Sequence, residues 1–201
     1  MSGGHLEMRR MEALSNTVFG VAMTLLAYQA PRDKFTSADP QWREIWHLYG
    51  AFLSTLLLSF IVAGMFWYSH QRRLSYATHA GRVEVLGNLF FLLSIIVLPV
   101  TCGLYGNNYD SPNITTLYSF NLFMISLFNT TLWAIAVARQ RDWLTLMTPA
   151  AALVVMAAAL VGCLIDPHWP KFIWPLAFLS PLISAYIERR RGFDIGENQP
   201  R

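Results

Sequence analysis

The segment RRMEALSNTVFGVAMTLLAYQA, residues 9–30, opens the first hydrophobic run of the chain, yet it holds Ser15, Asn16, Thr17, Thr24 and Gln29. A helix that faced only lipid would have no use for these groups. Thr17, Val21, Thr24 and Tyr28 follow one another at intervals of 4, 3 and 4 residues, so a helix sets them on one stripe, with Leu25 at its border. Hydrocarbon offers polar groups no hydrogen-bond partner, so a mixed stripe in a membrane helix must face protein or water. Two readings stand level at this point: the stripe lines an ion pore, or it is a helix-packing surface between subunits.

Working outward, the 201 residues are 54% hydrophobic and only 13% charged, with a mean hydropathy of +0.36. A soluble domain carries about 25% charged residues, so the deficit assigns an all-α membrane protein. The length suits six transmembrane helices of about 20 residues joined by short connections. The expected spans are Met11–Ala30, Ile45–His70, Glu84–Tyr105, Thr116–Ala138, Trp143–Ile165 and Lys171–Ile187. Pro31 stops the first, and the third contains Pro99, which should kink it or loosen its last turns. The sixth contains Pro175 and Pro181. Residues 1–190 form one membrane domain, and residues 191–201 a polar C-terminal tail.

Basic residues set the orientation. Eleven of the fifteen fall on the side of the N-terminus: Arg9, Arg10, Arg72, Arg73, Arg82, Arg139, Arg141, Arg189, Arg190, Arg191 and Arg201. Arg32, Lys34, Arg43 and Lys171 remain for the other side. The bias expects a multi-pass protein of the cell membrane with an even number of spans and both termini cytoplasmic. The net charge of +3 is thereby explained without nucleic acid, since no basic patch is interleaved with aromatic residues on a polar surface. In this topology Arg10, Ser15 and Asn16 share a depth with Trp67 and His70. They form either a polar knot that pins the first helix to the second or an ordinary set of interfacial residues.

Several chemistries lack their residues. No span carries an interior Asp, Glu, Lys or Arg, which weakens an ion-coupled transporter. No HExxH, serine–histidine–acid set or paired carboxylates lie within a span, so an enzyme is not expected. The five histidines are scattered, and no metal site or bound cofactor is expected. Cys102 and Cys163 read as buried free thiols in preference to a disulfide between them, which the sequence leaves open. Thr17-Val18-Phe19-Gly20 and Gly103-Leu104-Tyr105-Gly106 look like a carbonyl selectivity filter, but neither sits in a short re-entrant segment.

These residues resemble the lysosomal potassium channel family, the transmembrane protein 175 type, in its bacterial six-helix branch. The run Arg10-Met11-Glu12-Ala13-Leu14-Ser15-Asn16 stands in register with the family's R-x-x-x-F-S-D. Ser59-Phe60, Phe66-Trp67 and His70 match its S-F…W-x-x-H pattern, and NLFFLLSIIVLPVT, residues 88–101, is similar to its N-L…L-P segment. The likeness covers the first three helices; the last three follow by hydropathy alone. Leu14 and Asn16 depart from the motif, and Asn16 cannot form the ion pair of the family's carboxylate.

The resemblance implies passive conduction of potassium, with monovalent cations and membrane lipid as partners and no cofactor beyond the permeant ion. It implies a homotetramer with the first helix of each subunit lining a central pore. It places an apolar constriction at Val21, with Thr24 beside it and Thr17, Leu25 and Tyr28 along the same path. It also favours the knot of Arg10, Ser15, Asn16, Trp67 and His70. The alternatives are a non-conducting structural or sensory membrane protein and a small-solute transporter.

Overall fold

The computed structural model describes residues 3–31, 35, 39–76, 81–108, 110–166, 168–179, 185 and 189. Among them no strand occurs. The helices are α1 (Gly3–Tyr28), α2 (Trp42–Tyr76), α3 (Arg82–Asn107), α4 (Pro112–Gln140) and α5 (Met147–Ile165). A 3-10 turn, Trp143–Leu146, leads into α5. The short α6 (Pro170–Ile173) passes straight into a 3-10 turn, Trp174–Leu179. Helices α2 to α5, the last counted with its 3-10 lead-in, are long and apolar enough to cross a membrane, so this is a multi-pass membrane protein. Helix α1 matches α3 in length but carries the polar groups that set it apart from those four.

The helix ends follow local chemistry. Pro112 occupies the first position of α4, where a missing N–H costs nothing. The Glu84 carboxylate reaches back to the backbone N–H of Gly81 and closes the start of α3. Arg141, at φ 57°, takes the left-handed turn that ends α4. Helix α2 outruns its expected span by a turn or so at either end, because backbone hydrogen bonding continues where hydropathy stops. The expected sixth helix begins differently: Pro175 lacks the N–H an α-helix needs, and the chain there winds as a 3-10 turn. Most of its expected length beyond Leu179, and the tail 191–201, lie outside the described residues.

Helix α3 is the hub, packing against α1, α2 and α4, while α5 packs against α4. It runs unbroken through Pro99 to Asn107, so its last turns are kept. The core gathers Phe19, Phe66, Phe91, Ile95, Leu122 and Ile125. Towards the end of α3 away from the N-terminus, Tyr105 stacks on Tyr118 at 5.2 Å and Trp174 stands edge-on to both. In lipid such packing rests on close contact and interhelical hydrogen bonds, since apolar burial gives little preference between helix and lipid tail. The Tyr118 and Ser59 hydroxyls, 2.7 Å apart, supply one such bond between α2 and α4. Asn129 Nδ2 and Trp133 Nε1 supply two more, both donating to Ser69 Oγ.

Candidate functional site: the two faces of the first helix

Helix α1 has a covered and an uncovered face, and the sequence spacing separates them. Met11, Ser15, Phe19, Ala22 and Leu26 are buried; their intervals of 4, 4, 3 and 4 residues make one stripe against α2 and α3. Phe19, 1% exposed, meets the rings of Phe91 and His70. The opposite stripe holds Leu14, Thr17, Val21, Thr24, Leu25 and Tyr28, all of them open. Val21 is 52% exposed and Tyr28 75%. All five residues named for the conduction path therefore stand on the face that the rest of the protomer leaves bare.

The two hydroxyls on this face share one chemistry. Thr17 Oγ1 donates to the Ala13 carbonyl at 2.9 Å, and Thr24 Oγ1 donates to the Val21 carbonyl at 2.8 Å. Each hydroxyl proton is thus committed to its own helix. What remains outward is an oxygen with lone pairs, an acceptor suited to a cation or to its water.

The expected knot resolves into two networks. On the uncovered side, Asn16 Oδ1 accepts from Trp67 Nε1 at 3.0 Å and from Gln71 Nε2. On the covered side, Asn88 of α3 donates from Nδ2 to Ser15 Oγ at 3.2 Å, and its Oδ1 accepts from Arg73 Nη2 at 3.2 Å. The same Arg73 nitrogen lies 2.9 Å from His70 Nδ1. A guanidinium can only donate, so Nδ1 accepts and the imidazole carries its proton on Nε2. That ring stacks on Phe91 at 5.3 Å. Ser15 and His70 are thereby joined through Asn88 and Arg73, whereas Arg10 stands exposed and outside both networks.

Arg73 and Asn88 are the residues that sequence reasoning missed. Hydropathy puts Arg73 at a membrane edge, and there its neighbours bury it to 1% exposure. Burial of a guanidinium needs compensation. Asn88 and His70 supply hydrogen bonds, and the nearby Glu84 carboxylate supplies the opposite charge. Glu84 in turn pairs with Arg139 of α4 at 2.5 Å. A signal for Arg73 was present, since His70 and Arg73 are three apart and share a helix face. Cys102 and Cys163 are both free and buried, and no cluster able to hold a metal ion occurs among the described residues.

The pairing of Ser15 with Asn88 and of Asn16 with Trp67 lies within one recognisable block of sequence. Residues 10–99 match the family model of the endosomal/lysosomal potassium channel TMEM175. The matched block contains most of α1, all of α2 and the greater part of α3, the same helices that carry the resemblance read from the sequence. A potassium channel of Streptomyces collinus is 30% identical over 96 residues, which is 46% of this chain and 45% of that protein. The chain thus spans about half the length of the curated relative it matches. The crystal structure of a lysosomal potassium-selective channel TMEM175 homolog from Chamaesiphon minutus superimposes with a TM-score of 0.70. It is 19% identical and covers 90% of this chain and 97% of its own. At that identity the likeness shows a shared fold.

Proposed function

We propose that this chain is one subunit of a potassium-conducting channel, with six membrane-spanning helices per subunit and four subunits around a central pore. In this reading α1 lines the pore, both termini are cytoplasmic, and the protein resides in the cell membrane. The observation that carries the reading is the bare face of α1, where Thr17, Val21, Thr24, Leu25 and Tyr28 stand open in the protomer. The TMEM175 match over residues 10–99 supports it, as does a relative named as a potassium channel.

A cation would cross passively. Four Val21 side chains would form an apolar constriction that empties of water when narrow and conducts when it widens. The outward oxygens of Thr24, one helical turn beyond, would replace part of the hydration shell that the constriction strips. No carbonyl filter is needed in this scheme, and no charged group on the path.

The test is flux of potassium against sodium into liposomes containing the purified protein, followed by single-channel recording of Val21→Ala and Val21→Asn. Both substitutions should raise unitary current by easing the dewetted constriction. Flux in the parent protein with unchanged current in both variants would remove Val21 from the path. A parent protein that carries no flux would leave the second reading, in which the bare face of α1 is an oligomer contact in a non-conducting membrane protein.

A further inference from the structure

Helix α3 contains a proline at Pro99 yet stays helical for two further turns. Proline takes away the N–H that would bond the carbonyl four residues earlier, at Ile95, and its ring presses on that carbonyl. Membrane helices tolerate this only where neighbours and hydroxyl side chains satisfy the disturbed backbone. Here a single residue of α4 bridges the break. Asn121 Nδ2 donates to the Ser94 carbonyl at 2.9 Å, on one side of Pro99. Its Oδ1 accepts from Thr101 Oγ1 at 3.0 Å, on the other side. Asn121, Ser94 and Thr101 are all buried. Ser94 Oγ also donates to the Phe91 carbonyl at 2.6 Å, and Thr101 Oγ1 lies 3.1 Å from the Leu98 carbonyl.

The segment held beyond the break is the part of α3 that meets the end of α1. Gly103 lies so close to the Gln29 side chain that a Cβ there would stand 2.7 Å from the Gln29 Cβ. Asn107 Nδ2 donates to the Gln29 carbonyl at 3.4 Å. Gly106 presses on Phe52 of α2, where a Cβ would stand 3.1 Å from the Phe52 Cα. Tyr105 is locked into the Tyr118–Trp174 cluster. Any swing of α3 about Pro99 therefore displaces the residues against which Gln29 rests, one residue past Tyr28.

We infer that Asn121 is a positioning residue for the far end of α1: by clamping α3 across Pro99 it holds the α3 end against which Gln29 rests. The consequence for conduction rests on the channel reading; the clamp itself does not.

Two measurements separate these. In the full-length protein in membranes, the pair Gln29→Cys and Asn107→Cys reports the α1–α3 contact through its rate of disulfide cross-linking. Asn121→Leu, which keeps the bulk but neither bond, should slow that rate about threefold or more, the factor that one or two typical intramembrane hydrogen bonds sustain. Thr101→Val, which removes a single bond with little change of shape, should slow it less. Pro99→Ala restores the helical N–H and should largely abolish the effect of Asn121→Leu. An equal loss with and without the Pro99→Ala substitution would overturn the clamp, as would no loss at all. Potassium flux then tests the consequence: Asn121→Leu should change open probability while leaving unitary conductance intact. An altered cross-link with unaltered open probability would overturn the link to conduction. Absence of any flux in the parent protein would count against the channel reading and leave the cross-linking result standing.

Discussion

At the scale of single residues, Asn88 and Asn16 carry the contrast between the two faces of α1. Asn88 joins Ser15 to a buried guanidinium, so its loss strips Arg73 of a charge-assisted bond that no water replaces. Asn88→Ala should cost about 2–3 kcal/mol of stability, read as thermal melting of the detergent-solubilised protein. Asn16 sits on the open side, and both of its bonds to α2 end on Oδ1. A carboxylate offers the same oxygen, so Asn16→Asp should keep both bonds and shift stability by less than about 1 kcal/mol. A large loss in that variant would mean that the amide nitrogen matters. The buried half of this arrangement is poorly legible in the sequence. Ser15, Trp67 and His70 can be gathered by depth, but depth does not say which side of a helix a residue faces. Arg73 reads as an orientation charge because hydropathy ends α2 at His70, and only the start of α3 packing over it reveals a buried cation.

Among the elements, legibility tracks how continuous each apolar run is. Helices α3, α4 and α5 lie within a few residues of their expected bounds, since each is an unbroken hydrophobic run between polar or proline-containing turns. The last segment reads as one helix despite Pro175; its first described turns show how proline redirects it into 3-10 winding. Pro99 has the opposite outcome, because partners on α4 are not visible in the sequence of α3. The close seam between α2 and α3 gives an element-scale prediction. Gly106→Val would force side-chain volume against the Phe52 backbone, which cannot rotate aside, and should destabilise by about 1–3 kcal/mol. Gly64→Ala, on α2 with nothing within 4 Å of its Cβ position, should change stability by less than about 0.5 kcal/mol. Comparing the two melting temperatures checks both.

For the whole molecule, the charge bias expects the N-terminus, Arg141 and Arg189 on the cytoplasmic side, and Asp39 and Lys171 outside. A membrane-impermeant thiol reagent should therefore label a single cysteine at position 39 in intact cells, and one at position 141 only after the cells are opened. Background labelling should be low because Cys102 and Cys163 are free but buried. Labelling of both positions from one side would overturn the topology. That the chain crosses the membrane several times is legible from length and hydropathy. What the bare face of α1 meets is not, since nothing in one chain's hydropathy distinguishes a pore face from a lipid face.

The bare stripe of α1 has a consequence for how such a protein can change. The covered stripe, with Phe19 and Ser15, carries the intramolecular contacts of α1, while the open stripe contributes little to holding the protomer together. Substitutions at positions 17, 21, 24, 25 and 28 are thus nearly free of a folding penalty within the subunit. In the channel proposed above, selection or a mutant library could explore ion preference there almost independently of foldedness, with the turn-by-turn alternation of one helix keeping the two kinds of constraint on separate residues.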